Sequence, residues 1–180
     1  MNSSILHAAL RGASVIALLM PAAQALAAST LACPVVAKAV QVGTCPTEED
    51  LRYTYHGFCS DNQRMYDRKT EGCIDYRQYR EMKNTALWES ADGEFQAYLS
   101  CETPAAARAA ARAVKVAVSA KGGITQVICT YDQGFSFTRR SRDRCTAGPA
   151  AGLAAECAAD PAACTVSCEQ APARPAQAPG

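Results

Sequence analysis

The side chains with the widest chemical range in this 180-residue chain are ten cysteines. A thiol can attack a substrate, hold a metal, shuttle electrons or close a disulfide, and spacing separates these roles. No two cysteines stand in a C-x-x-C pair, which argues against a thioredoxin-like redox site and against haem attachment. The tightest spacing, Cys164-x3-Cys168, falls in an alanine-rich stretch. Only two histidines accompany them, so a multi-histidine metal centre has no ligands, and neither metal nor other cofactor is expected. An even cysteine count in a chain with few bulky apolar residues reads as a disulfide framework of Cys33, Cys45, Cys59, Cys73, Cys101, Cys129, Cys145, Cys157, Cys164 and Cys168. Ten cysteines allow about 945 pairings, and spacing does not choose among them.

His56 is the one imidazole outside the first 27 residues. Its setting, Tyr-His-Gly-Phe-Cys, carries no nucleophile signature, and H-E-x-x-H, G-x-x-x-x-G-K and G-x-S-x-G are absent. A structural or surface role is expected for it. Carboxylates are more numerous. Glu48, Glu49 and Asp50 cluster after Pro46, while Glu71, Asp75, Glu89, Asp92 and Glu94 lie near aromatics in the sequence. Two acids beside aromatic faces would suit a small secreted glycan hydrolase, which is the alternative reading of this chain. Thr47-x-x-Asp50 is equally explained as a capping-box-like start of a turn.

Seven of the twelve aromatics fall between residues 48 and 92. Tyr66, Tyr76 and Tyr79 interleave with Arg64, Arg68, Arg77 and Arg80, and Trp88 follows. Such a set is either core volume or a binding surface, where Tyr, Trp and Arg are enriched. The basic run from Arg139 through Arg140 and Arg142 to Arg144 is a second candidate, for an anionic partner, or else a guard on an exposed final strand. The binding set expected from the residues is therefore Tyr66, Tyr76, Tyr79, Trp88, Arg139, Arg140 and Arg142, with no catalytic residue assigned.

These groups must be held by elements, and the pattern divides the chain into three. Residues 1–27 read as a signal peptide: Gly12 to Ala23 is too short an apolar run to span a bilayer, and Ala25-Leu26-Ala27 supplies the cleavage site. Acylation of Cys33, in Thr30-Leu31-Ala32-Cys33, is a minor alternative. Residues 28–146 form a disulfide-rich α+β domain, and 147–180 an Ala/Pro-rich tail, disordered over 170–180 and partly tethered by its cysteines. Within the domain, Tyr53 to Tyr55 reads as extended and Asp75 to Glu89 as helix. Phe95 to Cys101 alternates as a half-buried strand. Thr103 caps a helix from Ala105 to Ala120, stopped by Gly122-Gly123, and strands Ile124 to Tyr131 and Phe135 to Arg140 form a hairpin about Asp132-Gln133-Gly134. The result is a strand-helix-strand-strand unit over about 94–140, behind an irregular cysteine-bracketed N-terminal half.

Removing residues 1–27 leaves 17 basic and 17 acidic side chains, which excludes a polybasic nucleic-acid binder. No transmembrane segment is expected in the mature chain. The reading is an exported binding or accessory protein of the periplasm or medium, acting on a protein or anionic envelope partner without catalysis. The intact mass of the exported protein, alkylated before reduction, should fall about 10 Da below that of the fully reduced chain and carry no alkyl group, as five disulfides require; an alkylated thiol would contradict the framework.

Overall fold

The computed structural model describes residues 28–67, 72–148 and 154–171. The stretch read as a signal peptide and most of the stretch expected to be disordered lie outside the described residues. Along the chain, β1 (Ala28–Ala32) and β2 (Val40–Gln41) precede three helices: α1 (Glu48–Cys59), α2 (Asn62–Tyr66) and α3 (Tyr76–Lys83). Strands β3 (Thr85–Glu89) and β4 (Gln96–Ser100) lead to the short helix α4 (Ala105–Ala110). Six strands follow: β5 (Ala113–Lys121), β6 (Ile124–Tyr131), β7 (Ser136–Ser141), β8 (Arg144–Ala147), β9 (Ala154–Glu156) and β10 (Thr165–Glu169). The class is α+β, as expected.

Two antiparallel sheets organise the fold. One runs β2-β3-β4-β7-β6-β5-β9 and the other β1-β10-β8. A single cluster of buried residues joins them: Leu99, Val116, Val127, Cys129 and Phe137 come from the larger sheet, Phe95 from the residue before β4, and Cys145, Val166 and Cys168 from the smaller sheet. Each fully buried Val, Leu or Phe contributes about 1.5–3 kcal/mol.

All ten cysteines are paired. Cys33–Cys129 ties the segment after β1 to the middle of β6, and Cys45–Cys101 ties the lead-in before α1 to the end of β4. Cys59–Cys73 closes the loop between α1 and α3, Cys145–Cys168 links register partners on β8 and β10, and Cys157–Cys164 closes the loop between β9 and β10. With its sulfur bonded to Cys129, Cys33 has no thiol left to acylate.

Four local expectations are corrected. Tyr53 to Tyr55 is helical: Thr47 accepts from the Asp50 amide and Asp50 bonds back to the Thr47 backbone, a full capping box that starts α1. The helix read from Asp75 to Glu89 stops at Asn84, whose carbonyl accepts from Cys101, and Thr85 to Glu89 becomes β3 with partners on both sides. The helix read over 105–120 ends at Ala110, and its start has Pro104, without a side-chain cap, in place of Thr103. Beyond it, Val114, Val116 and Val118 are β-branched at alternate positions, and β5 pairs with β6 at eight positions, which outweighs the helix preference of the alanines. Gly122-Gly123 is accordingly not a helix stop. It is a two-residue hairpin turn with φ of 60° and 76°, the positive angles that a primed turn needs. The unit over 94–140 thus keeps its expected strands and helix and gains β5, which lies antiparallel to β6 and calls for no parallel crossover. The stretch expected as a tethered tail supplies β9 at one edge of the large sheet and β10 at the centre of the small one.

Tyr131 crosses the seam between these parts. Its ring is buried and its hydroxyl donates to the Pro34 carbonyl at 2.5 Å. Burial pushes its pKa well above the ordinary tyrosine range. Folding therefore favours the neutral phenol, a stabilisation that is complete below about pH 10 and is lost as pH rises beyond it. Tyr131→Phe should cost about 0.5–1.5 kcal/mol at neutral pH through the lost hydrogen bond, and should lessen the fall in stability above about pH 10. Urea unfolding at both pH values checks this.

Candidate functional site

The seven side chains expected to form a binding surface do not come together. Tyr79 is buried, and Tyr76 is half-buried beside it on α3. Trp88 lies on β3, packed against the core with the Arg108 guanidinium 4.4 Å from its ring centre. Tyr66 on α2 is 85% exposed and stands apart. Arg139 is drawn in by Glu94 at 2.6 Å and Asp143 at 3.1 Å, while Arg140 and Arg142 are exposed and make no ion pair among the described residues. The strand that carries Arg139 and Arg140 is interior to the sheet, between β4 and β6, so these arginines do not guard an edge.

What packs α1 on α3 is an aromatic cluster. The Tyr55 ring lies 5.5 Å from Tyr76 and 5.2 Å from Tyr79, and Phe58 lies 5.5 Å from Tyr79. Cations cover its outside: Arg64 sits 3.6 Å over Phe58, Lys83 5.0 Å over the same ring and Arg52 4.6 Å over Tyr76. Arg80 joins Glu48 to Glu102. The Tyr76 hydroxyl, then Arg52 and Arg80, hold the Glu48 carboxyl below its usual range. Tyr76 and Tyr79 of the expected set are therefore spent on packing α1 against α3.

A groove of about 1050 Å³ opens beside this cluster, between α1, α3, the lead-in and the start of β3. Pro46, Leu51, Tyr53, Phe58 and Tyr79 make it largely apolar, with Tyr53, 81% exposed, at its rim. Its one carboxylate, Asp50, is held low by hydrogen bonds from Thr47. Lys83 places an ammonium group and His56 an imidazole among its lining. Gly57 lines the groove on α1, and a Cβ there would meet nothing within 4 Å.

A second cleft, of about 580 Å³, lies on the large sheet between β4 and β7. Its one carboxylate, Glu94, is bound to Arg139. Neither space holds the pair of acids that glycan hydrolysis needs. Asp92, hydrogen-bonded by Ser90, is held low, and Asp143 is held low by Arg139 and Ser141 against the opposing effect of burial. A general acid at neutral pH needs the opposite shift. Among the described residues no group of His, Cys, Asp and Glu is placed to hold a metal ion. Both spaces escaped the sequence reading for one reason: their walls join segments far apart in the chain.

Comparison with family models, with curated proteins and with solved structures gives no match in any of the three.

Glycine within a helix costs about 0.5–1 kcal/mol relative to alanine, and the space around Gly57 is open. Gly57→Ala should raise stability by about that amount, read as a higher melting temperature; a lower one would mean that this turn of α1 is not helical.

Proposed function

We propose that this chain acts by non-covalent binding in an oxidising, exported setting, as an accessory or interaction protein whose groove between α1, α3 and β3 receives an apolar segment of a protein partner. The observation that carries the reading is the groove itself: a concave, mainly apolar surface with an exposed tyrosine at its rim. Five disulfides support the compartment, since such bonds persist where thiols are oxidised. Among the described residues no helix is long and apolar enough to cross a membrane. The two-carboxylate alternative has less support, because the lining of each groove contains a single carboxylate already tied to a neighbour.

The position of Gly57 makes the test sharp. Gly57→Leu fills the groove without a clash at Cβ, whereas Gly57→Ala leaves most of it open. A partner captured from the exported fraction of the source cells should bind the wild type and Gly57→Ala alike. It should bind Gly57→Leu and Tyr53→Ala at least about tenfold more weakly, a difference of about 1.4 kcal/mol. Equal capture by all four proteins, or none by the wild type, overturns the reading.

A further inference from the structure

The cleft on the large sheet has its own origin and its own chemistry. Strands β3 and β4 pair at five positions, and β6 and β7 at six, but β4 and β7 meet at one, Gln96 opposite Thr138. The two strands splay on either side of that pair, and the opening is the cleft. Its outer-face side chains follow from the strand period of two: Gln96 and Tyr98 on β4, Ser136, Thr138 and Arg140 on β7, with Leu87 of β3 opposite Tyr98.

Three features mark this cleft as a site for a polyhydroxyl ligand. Tyr98 is 72% exposed and contacts no other ring among the described residues, so one aromatic face is open. Donors and acceptors line the remainder, and the Thr138 hydroxyl and Arg140 guanidinium have no hydrogen-bond partner among the described residues. Little free charge remains locally, because Glu94 is already bound to Arg139 and only Arg140 is left without an ion pair among the described lining residues. An anion would gain the one guanidinium of Arg140 and meet the carboxylate of Glu94. An apolar peptide would find only Leu87 and Tyr98 to cover it. A neutral sugar suits the lining better: its C–H face stacks on an aromatic ring, and its hydroxyls both donate and accept.

We propose that the β4/β7 cleft binds an uncharged oligosaccharide, with one sugar ring stacked on Tyr98 and the chain running along β7 to Arg140. By register Tyr98 lies level with Ser136, so the distance to Arg140 is four residues of strand, about 13 Å. A single sugar does not span it; a short oligomer does. The proposal rests on the reading of the chain as a binding protein but not on the groove at α1, so either can fail without the other.

The test is titration of the full mature protein, by calorimetry and by amide shifts in NMR, with neutral cello-, chito- and malto-oligosaccharides of about three to six units, long enough to cover the roughly 13 Å span. At least one should bind, with shifts centred on Tyr98, Thr138 and Arg140. Its affinity should change less than about twofold between low and high salt, as expected without net charge. Tyr98→Ala should weaken it at least about tenfold with an unchanged melting temperature, and Tyr53→Ala should leave it unaltered. No binding of any probe at about 10 mM, the weak limit of specific recognition, overturns the proposal. So does wild-type affinity in Tyr98→Ala, or binding confined to acidic polymers such as alginate and abolished by salt.

Discussion

The bond between Cys33 and Cys129 is the constraint on which the two-sheet arrangement depends. Alanine occupies 37 of the 180 positions, so few side chains bring much apolar area to the core. Sulfur makes up part of the difference: Cys129, Cys145, Cys157, Cys164 and Cys168 all lie within the buried cluster. A three-stranded sheet such as β1-β10-β8 needs a partner surface to be stable. Cys33, directly after β1, fastens that sheet to the centre of β6, and the hydroxyl of Tyr131 grips the next carbonyl, that of Pro34. Closing a loop of 96 residues is worth about 4–5 kcal/mol through the unfolded chain, a large share of a typical total of about 5–15 kcal/mol.

What could be read in the sequence follows from this division between local and distant forces. The strand at Phe95 to Cys101 was legible because Ala97 and Leu99 alternate with exposed neighbours, and the turn at Gly134 because Asp-Gln-Gly needs a positive φ there. The disulfide framework was legible as a count, but its pairing was not, since Cys33 and Cys129 meet only after both sheets exist. Residues 111–121 misled because alanine favours helix locally, whereas Val116 and Val118 gain far more by pairing with Cys129 and Val127 of β6. The clue lay in Gly122-Gly123, which ends a helix or turns a hairpin according to what flanks it. The capping box at Thr47 was visible, but carrying it forward into α1 required accepting Tyr53-Thr54-Tyr55 as helical against its strand propensity.

The same economy explains why part of the expected arginine–aromatic set is spent on packing. With α1 and α3 short of aliphatic side chains, Tyr55, Phe58, Tyr76 and Tyr79 provide the contact area, and Arg52, Arg64 and Lys83 shield their faces from water. Carboxylates are tied up in the same way, Asp50 in a cap, Glu48 and Glu102 on Arg80, and Glu94 and Asp143 on Arg139. A chain with 18 basic and 17 acidic residues also presents little net long-range field. Its recognition must then come from shape and from groups left open at the surface, exposed Tyr53, Tyr98 and Arg140 among them.

Strand β3 is the common wall of the two concave surfaces, since Thr85 borders the helical groove and Leu87 the cleft on the sheet. Two residues of strand separate them by about 7 Å. The lead-in segment is laid against this wall by the amides of Val42 and Gly43, which both donate to the Leu87 carbonyl, and by the Cys45–Cys101 bond just beyond. Gly43 fits because it has no side chain: a Cβ there would lie 2.9 Å from the Leu87 backbone nitrogen. Any larger residue must lift the lead-in from β3, and Thr44 and Pro46, which line the groove, would move with it. The shape of the groove is thus set by a glycine that contacts no ligand, and the backbone beneath Leu87 ties that glycine to the floor of the neighbouring cleft.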